Sequence, residues 1–424
     1  MPAAPEKCQS CGATGNTSNR RLLECGECNT TLYCSVPCQR EDWKYHKNIC
    51  KIACKFPPEI TQLTLDGEAA DLKSYDTVLD YASENLINLK HILINTPQAY
   101  ILDSEDVTGT SSTPEGKITL TGKKLEAFLK KRKLESVCFT FDDCCWDQIR
   151  DMTDGGKVFI PLKDHQNLTH FSAYYPVFGR AEFLAKSLGT NLKVLSLSCM
   201  TLGGGTNINP PTSWPRRETT VLISAISRLP NLVKLCLDDC YLKDSDLEPL
   251  LSNLTKLKHL TLSGNFTGRT GSYLTDRGLE TIARLCPNLQ CLDVGYHHQA
   301  TTRGVQAILQ KCIHLRELDV SRVKIPATDL KTLLPYSNTL LVIRRGTSFF
   351  ANDRTEKEHL KEAVIATRGR VILSSEMEGL LHLPGVSPDH RRQYEHSHGL
   401  VKQASRRLDE DPSVCNEWDW LFTG

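Results

Sequence analysis

The chain has no surplus of charge of either sign. Its 424 residues carry 51 Lys and Arg against 50 Asp and Glu, a formal net charge of +1. A neutral chain lacks the broad basic field that holds DNA or an anionic membrane surface, so both whole-chain roles are excluded and only local patches remain. Long apolar runs are absent too: no stretch approaches the roughly 18 apolar residues that a membrane span needs. Residues 1–7 contain no apolar core of a secretory leader, and export is not expected. The five Asn-x-Ser/Thr sites at Asn16, Asn29, Asn167, Asn253 and Asn265 then carry no weight. Aromatics make up 7% of the chain and hydrophobic residues 40%. That content fills a sizeable core, and at about 150 residues per domain it leaves room for about three domains.

What the chain has in plenty is cysteine, 18 residues in all. A chain of this size needs no disulfide framework, and with no leader the expected compartment is reducing and intracellular, cytoplasm or nucleus. Seven cysteines fall before Cys54. With His46 they form the pairs Cys8/Cys11, Cys25/Cys28, Cys34/Cys38 and His46/Cys50, with spacers of two, two, three and three residues. Such spacers let both ligands of a pair reach one ion, and zinc prefers tetrahedral sulfur and nitrogen donors. Eight ligands close two coordination spheres, whereas a catalytic zinc keeps a position open. The expectation is therefore two structural zinc ions and no catalytic residue. A segment of about fifty residues has little core of its own, and metal binding supplies the missing folding energy. Spacing alone leaves the pairing of pairs open.

The run Tyr33-Cys34-Ser35-Val36-Pro37-Cys38-Gln39-Arg40-Glu41-Asp42-Trp43-Lys44-Tyr45-His46-Lys47-Asn48-Ile49-Cys50 resembles the second half of a MYND zinc finger, and the two earlier pairs resemble its first half. The resemblance implies an interleaved arrangement: Cys8, Cys11, Cys34 and Cys38 around one zinc, Cys25, Cys28, His46 and Cys50 around the other. It also implies a protein-interaction module that takes short proline-containing peptides, with Gln39 and Trp43 lining the groove. Residues i and i+4 share a helix face, and an aromatic surface beside an amide suits a stiff, extended peptide.

Beyond Pro57 a different pattern takes over. The template Leu-x-x-Leu-x-Leu recurs at Leu192/Leu195/Leu197, Leu232/Leu235/Leu237, Leu257/Leu260/Leu262, Leu289/Leu292/Val294 and Leu315/Leu318/Val320, with first positions 40, 25, 32 and 26 residues apart. Weaker copies are Ile60/Leu63/Leu65, Leu89/Ile92/Ile94 and Leu134/Val137/Phe139, and Leu340/Ile343 reads as a last strand. Between the clear copies, apolar residues at 3/4 spacing predict helices over 218–229, 245–254, 275–286, 301–312 and 327–334, with Ser245, Thr275 and Thr301 as N-caps. Asn or Cys normally closes each strand; Cys240 and Asn265 stand there, while Met200, His297 and Val323 depart from the pattern.

These repeats resemble a leucine-rich-repeat solenoid of the cysteine-containing kind found in F-box proteins. The expected fold is an α/β horseshoe preceded by a small two-zinc finger. The division is residues 1–56 for the finger, 57–375 for the solenoid with a cap, and 376–424 for a polar tail. That tail ends in Glu417-Trp418-Asp419-Trp420-Leu421-Phe422, either docked on the body or a linear motif for a partner. Residues 103–116 and 203–215 read as insertions. Outward positions on the sheet are Ser196, Ser198, Lys234, Asp238, His259, Thr261, Asp293, Glu317, Asp319 and Ser321, acidic toward the later repeats. Gly203-Gly204-Gly205-Thr206 lacks the Lys-Ser/Thr of a phosphate loop.

The expected function is an adaptor without enzymatic activity, whose partners are proteins rather than nucleic acid or membrane. Two other roles follow from the resemblances: a substrate receptor of a ubiquitin-ligase complex, for which no F-box is visible, and a SET-type protein methyltransferase, whose Asn-His-Ser-Cys run is missing.

Overall fold

The computed structural model describes residues 7–13, 22–29, 31–65, 75–96, 100–101, 119–141, 153–174, 176–198, 200–202, 215–238, 241–264, 274–344, 359, 362–363, 367 and 372–373. The two inserted segments at 103–116 and 203–214, Cys240, Asn265 and the tail from 376 lie outside them.

The finger is a short antiparallel pair, Leu23–Glu24 with Leu32–Tyr33, followed by a helix at Val36–Lys55. Ser35 starts this helix, its hydroxyl accepting the Cys38 N–H at 3.4 Å, and Pro37 lies in the first turn, where a missing N–H costs nothing. The far end of the helix enters the body. Ile52, Ala53 and Phe56 are buried there, and Tyr81, on the helix Tyr75–Asn85, donates its hydroxyl to the Phe56 carbonyl at 3.3 Å. The buried apolar side chains consequently form one cluster running from Cys8 to Ala363.

The body is an eleven-stranded parallel sheet. Its strands are Gln62–Leu65, His91–Thr96, Ser136–Phe141, His170–Tyr174, Val194–Ser198, Lys234–Cys236, His259–Thr261, Cys291–Asp293, Glu317–Asp319, Val342–Arg344 and Ile372–Leu373. Each pairs with its neighbour in sequence, so the order never reverses as it does in a doubly wound sheet. Helices join the strands and pack on one another in the same order, from Tyr75–Asn85 to Ala327–Leu333. Register carries one template residue directly onto the next: Leu195, Leu235, Leu260, Leu292, Leu318 and Ile343 stand opposite one another. All are at most 2% exposed. A strand alternates faces, so this row and the next leucine along are buried under the helices while the residues between them face out.

All the template strands are present, including the three weaker ones. In the body, the sequence reading missed four two-residue strands outside the large sheet, Tyr100–Ile101, Thr119–Leu120, Val177–Phe178 and Thr201–Leu202, and one strand within it, His170–Tyr174. Its template reads Leu168/Phe171/Ala173, all buried, with an aromatic and an alanine where leucines are expected. It is preceded by a 3-10 helix, Lys157–Asp164, interrupted by Pro161. The predicted helices occur with shifts of a few residues at their ends: Arg216–Ile226, Asp244–Leu251, Asp276–Leu285, Thr302–Lys311 and Ala327–Leu333. Thr275 and Thr301 are N-caps as expected, accepting the N–H of Arg277 and Arg303. Ser245 is not. The helix begins one residue earlier, because the Asp246 carboxylate reaches back to the Lys243 N–H at 3.0 Å. Of the expected C-terminal cap, only Ile372–Leu373 is described as a strand, paired to Val342–Arg344.

A contact between repeats recurs along the helix starts. Asp244 accepts from both the N–H and the hydroxyl of Thr275, at 2.9 and 2.6 Å. Asp276 does the same for Thr301, at 2.7 Å each, and also takes the Gly304 N–H at 3.1 Å. The cap of one helix is thereby tied to the first residue of the helix before it.

Candidate metal centres and the helix that joins them

Each half of the finger opens on a cysteine knuckle. The Gly12 N–H donates to the Cys8 carbonyl, and the Asn29 N–H to the Cys25 carbonyl, both at 2.9 Å. Gly12 and Asn29 have φ of +72° and +54°. A left-handed residue directly after the second cysteine turns the chain so that both thiols converge. Glycine enters that region freely, and asparagine is among the few other residues that tolerate it.

Of the remaining ligands, Cys34 directly follows the strand Leu32–Tyr33, and Cys38, His46 and Cys50 lie on the helix after it. The structure brings all eight together in two groups, Cys8/Cys11/Cys34/Cys38 and Cys25/Cys28/His46/Cys50, the ligand atoms of each lying within 4.8 Å of one another. Sulfur atoms are 3.5 Å apart between Cys11 and Cys34 and between Cys34 and Cys38, and 3.8 Å apart between Cys25 and Cys50. The Cys28 sulfur lies 3.4 Å from His46 Nε2. Tetrahedral zinc, with bonds of about 2.3 Å to sulfur and about 2.0–2.1 Å to imidazole, sets edges of about 3.8 Å and about 3.5 Å. The donor set therefore fits zinc in both type and spacing.

Surrounding groups hold the ligands in the binding form. Thr31 Oγ1 is 3.3 Å from His46 Nδ1, which turns Nε2 toward the thiols. Burial keeps the His46 pKa below the ordinary histidine value, favouring the neutral ring that ligates. Sulfur contacts, from Cys38 above all, push the Cys34 thiol up to about 12, and burial raises Cys50. Against the effect of burial, backbone N–H groups and the Cys11 thiol bring the Cys8 thiol down to about 6, so the crowded thiols of one group divide into one that ionises readily and one that does not. The second group is buried at all four positions; the first is open at Cys11. A third cluster, Glu27, Cys50 and Cys54, shares Cys50 with the second group. The sequence reading passed over it, although Cys54 stands one helical turn beyond Cys50.

The helix Val36–Lys55 belongs to both groups, through Cys38 on one side and His46 and Cys50 on the other. Trp43 projects from it at 38% exposure, its ring centroid 6.0 Å from that of His46. Tyr33 is edge-on to the other side of that imidazole at 5.9 Å and donates to Asp42 at 2.7 Å. Gln39 is half-buried, and its amide donates to the Cys25 sulfur at 3.7 Å. Gln39 and Trp43 are thus adjacent on the helix, and Gln39 also touches a ligand.

On the sheet, Ser198 and His259 are buried and the other eight outward positions named from sequence are half-buried. Several of the acids have backbone work. Asp293 accepts the Gly295 N–H at 2.9 Å, Asp319 the Ser321 N–H at 2.8 Å, and Asp238 both the N–H and the hydroxyl of Ser263. Asp-x-Gly and Asp-x-Ser after a strand were the local signal for these turns. His297 stands where asparagine usually closes the strand and donates Nε2–H to the Leu262 carbonyl at 2.6 Å. It bonds the turning backbone of the preceding repeat.

Comparison with known proteins agrees with the finger. The family model described as MYND finger matches residues 8–50, and that segment is a MYND finger. Tudor domain-containing protein 1 of Oryzias latipes is 46% identical over 52 residues, which is 12% of this chain and 4% of that protein. N-lysine methyltransferase SMYD2 of Gallus gallus is 44% identical over 48 residues, 10% of this chain and 11% of that protein. The matched segment is thus a small part of each relative. Among solved structures, the Rad7 and Elc1 complex in yeast aligns with 77% of this chain and 77% of the solved chain, at a TM-score of 0.45 and 14% identity.

Proposed function

We propose that this protein is a zinc-stabilised adaptor that joins two partner proteins and catalyses no reaction itself. The observation that carries the reading is the placement of Trp43. An exposed tryptophan sits one turn from Gln39, on a helix clamped at both ends by ligand groups. A clamped aromatic surface gives a proline-containing peptide a rigid bed, and the peptide, already extended, loses little entropy on binding. Zinc held by four ligands in each group would have a closed coordination sphere, with no open position for a substrate.

In this reading residues 1–56 are the finger, 57–375 form a leucine-rich-repeat horseshoe with its cap, and 376–424 are a polar tail. The parallel order and the leucine rows support the horseshoe, whose curved sheet receives a second protein. The need to keep the ligand thiols reduced supports an intracellular protein, in cytoplasm or nucleus.

The test is a binding screen of the full chain against a library of proline-containing peptides, repeated with Trp43→Ala and Gln39→Ala. Trp43→Ala should weaken the selected peptides at least tenfold while bound zinc and melting temperature stay unchanged. Wild-type affinity in Trp43→Ala would remove the groove assignment.

A further inference from the structure

Along one edge of the sheet, Lys90 pairs with Glu135 at 3.0 Å, but farther along that edge, from Lys256 to Arg316, no carboxylate among the described residues pairs with a cation. Just before each strand, one residue donates its N–H to the carbonyl of the equivalent residue in the repeat before: Val233 to Lys193, Lys258 to Val233, Gln290 to Lys258, Arg316 to Gln290. This backbone ladder brings side chains from successive repeats side by side along the edge. Between the repeats lies an open cavity of about 450 Å³, lined by Val233, Lys256, Lys258, Asn288, Gln290 and His314. Its exposed lining surface is mostly apolar, and Lys256 and Lys258 are the charged residues that line it. Among the described residues, no carboxylate lines it.

The contrast with the helices is sharp. There Arg284 pairs with Glu248 at 3.0 Å and Arg303 with Glu280 at 2.9 Å. At the edge, among the described residues, no carboxylate lies within ion-pairing distance of Lys258, His314 or Arg316, and Lys256 reaches only the side-chain oxygen of Asn231, at 2.7 Å. A mostly apolar lining that includes two lysines suits an extended segment that alternates acids with aromatics.

The chain contains one such segment. Residues 409–422 hold Asp409, Glu410, Asp411, Glu417 and Asp419 with no Lys or Arg, and interleave the last two acids with Trp418, Trp420 and Phe422. In extended backbone, residues two apart share a side. Trp418, Trp420 and Phe422 then face one way, and Glu417 and Asp419 the other. The connector is long enough. Ile372–Leu373 lies four strands beyond His259–Thr261, or about 19 Å at about 4.8 Å per strand. Residues 374–408, fully extended, span over ~100 Å. Tethering adds a high effective concentration to whatever contact forms.

We infer that residues 409–422 dock in cis in the Lys256/Lys258/His314 groove, aromatic side chains on its apolar lining and carboxylates on its cations. A partner bearing a similar acidic-aromatic peptide would have to displace them, so the groove is regulated by the chain's own tail. The finger and its peptide take no part in this contact.

Hydrogen exchange on the full chain tests it. In the wild type, amides of 416–422 should exchange at least tenfold slower than in the free synthetic peptide 409–424. The double variant Lys256→Glu/Lys258→Glu should return them to the free-peptide rate, and Trp418→Ala/Trp420→Ala should do the same. Peptides covering 255–258 and 288–290 should lose protection in both variants. Melting temperature, read in parallel, checks that the exposed substitutions leave the fold intact. Free-peptide exchange of 416–422 in the wild type overturns the docking. Protection that survives the charge reversal also overturns this groove as its seat.

Discussion

The finger and the repeat body reach order by opposite means. In the finger, eight ligand atoms converge on two points and the apolar core is slight; remove the metal and little is left to oppose chain entropy. In the body, one residue type recurs in register across the strands, and each repeat is held by the repeats beside it. Chemistry in the finger is concentrated, and in the body it is distributed. The two meet at Ile52, Ala53, Phe56 and Tyr81, where the finger's helix covers the first repeat. The finger's helix thus packs at the end of the parallel sheet where its first strand lies. The difference predicts how far damage spreads from each part.

The largest effect should follow zinc removal. Structural zinc is worth about 10–16 kcal/mol per ion in small fingers near neutral pH. A strong chelator should therefore unfold residues 7–56 outright. Because the finger covers the first repeat, hydrogen exchange should also rise in the helix Tyr75–Asn85. It should stay unchanged in Thr302–Lys311, far along the stack. Exchange rising equally in both helices would show that the body unfolds as one unit and erase the contrast.

Damage inside the body should be smaller and local. Leu260 is 1% exposed in the middle of the leucine row. Leu260→Ala leaves a cavity there and should cost about 2–5 kcal/mol, seen as a lower urea midpoint. With zinc present, the finger should keep its full metal content.

Acid should separate the parts in another way. His165 takes the Leu134 N–H on Nδ1 at 3.2 Å and bonds the Leu129 carbonyl through Nε2 at 2.7 Å, an arrangement only the neutral ring satisfies. Burial lowers its pKa, and burial holds His297 down to about 4. The unfolded state therefore takes up these protons first. Their contribution is complete above the ordinary value of about 6.5 and is lost as pH falls below it, for His297 down to about 4. For His297 the loss between pH 7.5 and 5 should be about 2 kcal/mol. Urea melts of the body should show it, and His297→Asn, which keeps a donor, should flatten the slope. An unchanged slope would mean that His297 is protonated in the folded state as readily as in the unfolded one.

The two parts also differed in how much their sequences disclosed. Ligand spacing made the finger's chemistry plain, because metal geometry tolerates few spacers. The interleaved pairing was not legible from spacing, since it depends on where the helix Val36–Lys55 brings Cys38, His46 and Cys50. In the large sheet, leucine periodicity marked every strand but Ile372–Leu373 and His170–Tyr174, and in the latter Phe171 and Ala173 fill the same volume by different means. The helix starting at Asp244 was misplaced because a carboxylate three residues on does the capping. The ties from Asp244 to Thr275 and from Asp276 to Thr301 were invisible, because their partners lie a whole repeat apart. Nothing local in either Asp or Thr announces a bond across 25 or 31 residues.

Those ties give the smallest prediction, one whose sign separates local propensity from packing between repeats. Gly304 lies inside the helix Thr302–Lys311, where alanine is normally better than glycine by about 1 kcal/mol. Here a Cβ would stand 2.7 Å from Asp276 Oδ1, 2.8 Å from Leu279 Cδ1 and 3.1 Å from the Asp276 Cα. The Asp276 carboxylate is held by three bonds to Thr301 and Gly304 and has little freedom to retreat. Overpacking of this kind costs about 1–3 kcal/mol, which outweighs the gain in helix propensity. Gly304→Ala should thus destabilise the body by about 1 kcal/mol net, measured as a shift in urea midpoint. In an Asp276→Ser background the carboxylate is gone, and the same substitution should cost less. A stabilising Gly304→Ala in the wild type would mean that the tie between these repeats yields without cost.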